Sequence, residues 1–185
     1  MKEKLIWKQN SEKELLKTRI FDVVSINETS PDGSSGDYLA LDCPDWVLVI
    51  PDINDEKGDD FILVRQWRHA LGDLTLEFPA GMAEPGEDPL ETAARELREE
   101  TGVEPEKVIL LGSCNPNPAL FRNKVHFCLA TGCKATRGQQ LDDDEYIACS
   151  RMNKDEVLDR FATGEFMHAL MGTALALYLR HTLKK

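Results

Sequence analysis

The chain has 185 residues, a formal net charge of −11, 42% hydrophobic residues and 30% charged residues. That length suits one core, with room for a small appended subdomain. The acidic balance argues against a general nucleic-acid surface or an anionic membrane patch, and it repels a phosphate-rich substrate unless metal ions and local arginines reverse the field at the site.

Residues 1–5 lack the apolar stretch of a secretory signal. No apolar run approaches the roughly 20 residues of a membrane-spanning helix. Cys43, Cys114, Cys128, Cys133 and Cys149 are odd in number and form no C-x-x-C pair. This predicts a reducing, cytoplasmic setting with mostly buried thiols.

Strands come first. Residues 19–26 are strand-like, and residues 37–41 pair with them across the turn at 30–36. Residues 46–51 and 60–67 look like a hairpin of the core sheet around the turn at 52–60, and residues 74–78 lead into a glycine loop. A helix follows. Asp88 is a good N-cap, Pro89 suits the first helical position, Glu91 sits as in a capping box, and Gly102 is the natural stop. Beyond it, residues 108–113 and 124–130 read as strands, and residues 154–163 and 167–182 as helices. The expected architecture is α/β: a mixed sheet packed between helices in an α/β/α sandwich.

The helix after Asp88 carries the chemistry. Leu90, Ala93, Ala94, Leu97 and Thr101 recur at helical spacing as a mostly apolar stripe. Glu96, Glu99 and Glu100 share the opposite side, and Arg95 is spaced to pair with Glu91 and Glu99. Like charges at these separations cost about 0.2–0.5 kcal/mol per pair in isolated helices. A hard divalent cation such as Mg2+, which prefers carboxylate and water oxygens, removes that conflict. The bland alternative is a solvated acidic face with Arg95 and Arg98 as surface partners. The glycine loop, Glu87 and the terminal Gly102-Val103 favour the metal reading.

The stretch from Gly81 to Val103 resembles the Nudix box, G-x5-E-x7-R-E-U-x-E-E-x-G-U, with U a bulky apolar residue. Gly81, Glu87, Arg95, Glu96, Leu97, Glu99, Glu100, Gly102 and Val103 fill every fixed position. The resemblance implies hydrolysis of a nucleoside diphosphate linked to another moiety. It also implies that Glu96, Glu99 and Glu100 bind divalent metal and act in catalysis, while Glu87 and Arg95 support the loop–helix–loop geometry. Mg2+ is the expected ion, with Mn2+ able to substitute.

Flanking segments resemble the ADP-ribose pyrophosphatase branch. Glu77-Phe78-Pro79-Ala80-Gly81 matches its entry to the box, which implies that the Ala80 carbonyl is a metal ligand and that Glu77 belongs to the substrate site. Arg65-Gln66-Trp67-Arg68 matches its R-Q-[YFW]-R segment, and guanidinium groups suit bidentate phosphate binding. Pro118 stands fifteen residues after Val103, where this branch carries a proline. Ala119 replaces the glycine that commonly follows it. Trp7 or Trp46 offers a face on which adenine could stack, with Trp46 the candidate and core packing the alternative.

The run Asp142-Asp143-Asp144-Glu145 reads either as a solvated turn or as a loop that delivers a carboxylate to water. Glu145 is the candidate, with Asp144 next. By resemblance, residues 1–45 form an N-terminal antiparallel β-subdomain that serves dimerisation, and residues 46–185 form the hydrolase domain. The expected partners are a small nucleoside diphosphate substrate and a second copy of the chain, with no nucleic acid and no membrane. A protein that binds ADP-ribose without turnover is the competing class. Such regulators usually bear a DNA-binding module or a damaged box, whereas this box is intact. Within the enzyme class, nucleotide sugars, dinucleoside polyphosphates and NADH stand beside ADP-ribose.

Overall fold

A computed structural model describes residues 2–142 and 145–184, so Asp143 and Asp144 of the acidic run lie outside the described residues. The chain divides into two compact units: residues 1–45 with 115–124, and residues 46–114 with 125–185.

In the first unit a 3-10 turn, Lys2–Leu5, precedes β1 (Lys8–Lys17), β2 (Asp22–Thr29) and β3 (Ser35–Asp42). These form an antiparallel sheet in the order β1-β2-β3, with Ile26 opposite Glu12 on one side and Tyr38 on the other. The pairing of β2 with β3 across the 30–36 turn is the expected one. β1 was not foreseen, because KQNSEKELLK has no apolar alternation. All ten of its residues are exposed, and its register slips twice, between Gln9 and Ser11 and between Glu14 and Leu16. The 115–124 segment ties itself to β3 and β1: the Leu41 N–H donates to the Leu120 carbonyl at 2.7 Å, and Arg122 grips both oxygens of Glu12.

The second unit holds β4 (Trp46–Asp55), β5 (Gly58–Arg68), β6 (Asp73–Glu77), β7 (Ala80–Met82), α1 (Pro89–Thr101), β8 (Val103–Glu104), β9 (Lys107–Cys114), β10 (Val125–Thr131), β11 (Lys134–Ala135), β12 (Ile147–Asn153), α2 (Lys154–Arg160) and α3 (Ala169–Thr182). Seven strands make one mixed sheet in the order β12-β5-β4-β10-β9, with β6 on β5 and β7 on β4. β8 and β11 form a separate antiparallel pair.

The β4–β5 hairpin is shorter than expected. Only Asp52 to Asp55 pair with Gly58 to Phe61; elsewhere β4 runs parallel to β10 and antiparallel to β7. The loop at 52–60 is correspondingly tighter, because both strands continue into it.

Alternation along β4 sorts the core into two layers. Val47 and Val49 join Ala93 and Leu97 of α1, while Leu48 and Ile50 join Met171, Ala174 and Leu175 of α3. This is the α/β/α sandwich anticipated from the element order. Trp46 packs against the larger layer. No helix among the described residues is long and apolar enough to cross a membrane. The thiols depart from expectation: Cys128 is buried, Cys43 and Cys133 are half-buried, and Cys114 and Cys149 are exposed.

Candidate active site

The helix that carries the carboxylates is fixed at both ends. Asp88 caps it by accepting the Leu90 N–H at 2.8 Å, and Pro89 occupies its first turn. Gly102 closes it in the left-handed region at φ 70°, where its N–H donates to the Arg98 carbonyl. A Cβ at Gly102 would also collide with the Arg137 carbonyl. Gly102 therefore meets two independent demands.

The buried side of α1 is Thr92, Ala93, Leu97 and Glu100, while Leu90 lies at its exposed margin. The stripe is thus rotated towards Glu100, which is 3% exposed. Register then brings the loop to it. Leu48 of β4 faces Ala80 of β7, the Val49 N–H donates to the Pro79 carbonyl at 2.9 Å, and the Ala80 N–H donates to Glu100 Oε2 at 3.1 Å. Gly81 follows because a Cβ there would run into the Glu96 carboxylate.

Arg95 organises the remaining carboxylates. Its Nε and Nη2 take the two oxygens of Glu87 at 3.0 Å each, its Nη1 reaches Glu96 at 2.7 Å and Glu99 at 3.1 Å, and its Nη2 also donates to the Met82 carbonyl. Glu99 is the partner helical spacing requires. The earlier-turn partner is Glu87 of the loop, whose two oxygens match the guanidinium fork. Arg95 beside it holds the Glu87 carboxyl down at about 2.

Burial pushes Glu100 up to about 9, reinforced by the negative charges of Glu96 and Glu145 and opposed by the Ala80 N–H and Arg68. Burial likewise raises Glu96, against the pull of Arg95 and with added repulsion from Glu99 and Glu145. Glu145 therefore belongs to the same electrostatic cluster. It is bonded to Asp142 twice: its N–H donates to the Asp142 carbonyl at 3.0 Å, and its Oε2 accepts the Asp142 N–H at 3.2 Å.

Arg68 is engaged by Glu77 through two hydrogen bonds, at 2.9 and 2.7 Å, and Thr75 donates to the same carboxylate. Glu77 is almost fully buried, so its side chain orients Arg68. Arg65 pairs with Glu165 at 2.9 Å, and its side chain is 46% exposed. Pro118 is exposed and belongs to the first compact unit.

Among the described residues no three His, Cys, Asp or Glu side chains already converge as a metal cluster. The Arg95 guanidinium bonds both Glu96 and Glu99. The donor set nevertheless fits a hard divalent cation. It offers carboxylate oxygens with a buried, charge-starved Glu100 among them, and a glycine that leaves room for Glu96.

A family model for the NUDIX domain matches residues 45–170. This chain belongs to the Nudix family. An ADP-ribose pyrophosphatase of Bacillus subtilis is 28% identical over 91% of this chain and 92% of its own length. An ADP-sugar pyrophosphatase of Mus musculus is 31% identical over 91% of this chain and 78% of its own. A methanol dehydrogenase activator of Bacillus methanolicus is 36% identical over 69% of this chain and 68% of its own. A solved structure of an ADP compounds hydrolase superposes with a TM-score of 0.82 at 25% identity, covering 96% of this chain and 95% of that one. The protein is a Nudix hydrolase, an enzyme of a family that generally uses divalent metal ions.

Three contacts of this Nudix hydrolase escaped the sequence reading. Gln139, Gln140 and Cys149 all reach the carbonyls at the end of α1. Open carbonyls at a helix terminus are the one signal that calls for such partners, and it does not say which residues answer.

Proposed function

We propose that this enzyme splits the diphosphate linkage of ADP-ribose, or of a related nucleoside diphosphate sugar, with Mg2+ as its metal. One water is consumed and the P–O–P bridge breaks, leaving AMP (or another nucleoside monophosphate) and a sugar phosphate. The single observation that carries the reading is the buried Glu100 carboxylate, held by the Ala80 N–H in a cluster with Glu96 and Glu145. Such an arrangement disfavours its own charge until a cation arrives.

Glu96, Glu99, Glu100 and the Ala80 carbonyl would hold Mg2+, which when bound neutralises phosphate oxygens and lowers the pKa of water. Arg65, with guanidinium donors beyond its bond to Glu165, is suited to a substrate phosphate, while Arg68 is held in place by Glu77. Glu145 would accept the proton of the attacking water. Trp46 and Pro118 remain the candidates for the adenine and distal-sugar ends. The substrate class rests on the relatives, which are named for ADP-ribose and ADP-sugars.

A homodimer built through residues 1–45 completes the proposal. It is supported by the fully exposed edge strand β1 with its exposed Leu15 and Leu16, and by the exposed Leu39 of β3 across the same sheet. A reduced, cytoplasmic setting is the matching proposal for location. A panel of ADP-ribose, nucleotide sugars, dinucleoside polyphosphates, NADH and nucleoside triphosphates, assayed with Mg2+, tests the substrate. AMP from ADP-ribose at the highest kcat/KM is expected. A triphosphate used tenfold more efficiently would overturn the substrate assignment and leave the family untouched.

A further inference from the structure

We propose that Gln139 is a positioning residue, which seats the segment carrying Glu145 on the last turn of α1. The proposal rests on the Glu145 role given above and extends it to a residue outside the box.

An α-helix leaves its last four carbonyls without intrahelical donors. At the end of α1 residues 136–140 fill the need. The Gln140 N–H donates to the Glu99 carbonyl at 2.8 Å and the Thr136 N–H to the Gly102 carbonyl at 3.0 Å. The Glu100 carbonyl, which belongs to the most buried of the three helix carboxylate residues, takes its donor from the Gln139 side chain, Nε2 at 2.6 Å. Cys149 Sγ donates to the same carbonyl at 3.0 Å. One carbonyl oxygen has two lone pairs, so both donors are accommodated.

The same Nε2 donates to the Ile147 carbonyl at 3.1 Å and lies 3.3 Å from Cys149 Sγ. An amide nitrogen carries two hydrogens, and the two carbonyls consume both. Gln139 therefore links the helix end to the first residue of β12. Glu145 lies two residues before Ile147, and on its other side it is bonded to Asp142 in both directions. Anchoring Ile147 and residues 136–140 to α1 therefore holds the chain on both sides of Glu145. A displacement of about 1 Å at a reacting group costs on the order of 100-fold in rate, so a latch of this kind affects turnover without touching substrate.

Donor chemistry separates the latch from simple packing. Gln139→Met keeps length and loses the donor, Gln139→Lys restores a donor, and Gln139→Glu sets a carboxylate against two carbonyl oxygens. We expect kcat for ADP-ribose to fall about tenfold or more in Gln139→Met, with KM within threefold. Gln139→Lys should recover part of the loss and Gln139→Glu should be the lowest. Amide hydrogen exchange of the metal-free proteins gives a readout independent of turnover: protection at Gln140 and Glu145 should drop in Gln139→Met and return in Gln139→Lys. In a Glu145→Gln background, Gln139→Met should add little, the signature of two residues acting as one unit. Wild-type kcat and wild-type exchange in Gln139→Met overturn the latch. Full activity in Glu145→Gln alone instead overturns the role given to Glu145, and exchange at Gln140 then decides the latch on its own.

Discussion

Two ten-residue strands of this chain make the sharpest contrast in it. Every residue of β1 is exposed, whereas seven consecutive residues of β4, Val47 to Ile53, are buried or nearly so. Both are extended and both are paired, yet for different reasons. β4 is held by apolar side chains on both faces, against α1 on one and α3 on the other. β1 has its ladder to β2, interrupted twice, and the ion pair of Glu12 with Arg122, with no buried side chain of its own. Backbone pairing makes a strand; burial on both faces makes it a foundation. The site hangs on the strand of the second kind, because Trp46, Val47 and Leu48 carry the loop strand β7 in register.

Removing burial from β4 should give the largest effect. Ile50 is fully buried, and Ile50→Ala should destabilise the protein by about 2–5 kcal/mol. Urea unfolding measures it. A loss below about 1 kcal/mol would mean that β4 depends on its ladder as β1 does.

Next is the carboxylate that β4 helps to place. Glu100→Gln keeps size and removes charge, so turnover should fall on the order of 100-fold or more. Melting should not suffer, since a neutral group suits a position where burial pushes the acid up to about 9. EDTA should abolish wild-type activity, and Mg2+ or Mn2+ should restore it. Near wild-type turnover of the variant at saturating Mg2+ would remove Glu100 from the chemistry.

Smaller again is the loop's own clasp. The Glu87 carboxyl is held at about 2 in the folded chain, against an ordinary value of 4.5. A lowered folded value means the contribution is complete above the ordinary value and fades as pH falls from there towards 2. Glu87→Gln should therefore lower stability at neutral pH, by about 1.5–3 kcal/mol as for a bond to a charged group. The melting temperatures of the two proteins should converge as pH falls from 5 to 2. A constant gap across that range would show that Glu87 acts through shape and not through charge.

The contrast also explains what could be read without coordinates. α1 was legible to the residue, because Asp88, Pro89 and Gly102 are local signals that need no tertiary partner. β4 was legible as an apolar run. Its parallel partner was not, since β10 lies some eighty residues away and parallel pairing leaves no mark on either strand. β1 and β12 were missed because polar, exposed strands lack the two-residue alternation that betrays half-buried ones. Within the site, spacing brought Glu96, Glu99 and Glu100 together on paper. That Glu100 turns into the protein while Glu99 stays at the surface depends on what packs over α1. The Gln139 contacts depend on a chain reversal that no short-range pattern encodes.

The smallest expected effect tests the other strand directly. Leu16 of β1 is 56% exposed, faces Val23 in the ladder and lies beside a register slip. In an isolated chain Leu16→Ser should change stability by no more than about 0.5 kcal/mol, as for surface substitutions generally. If a second copy covers residues 1–45, the result should depend on concentration. At high protein concentration the wild type gains stability from association and the variant gains less, because mass action adds to whichever state binds. Light scattering should then report two chains per particle for the wild type and a weaker dimer for Leu16→Ser. Equal melting curves for both proteins at every concentration, with both monomeric, would leave β1 an ordinary exposed edge and remove the dimer. A loss of about 2 kcal/mol in a dilute monomer would break the contrast from the opposite side, since β1 would then be buttressing its own unit as β4 does.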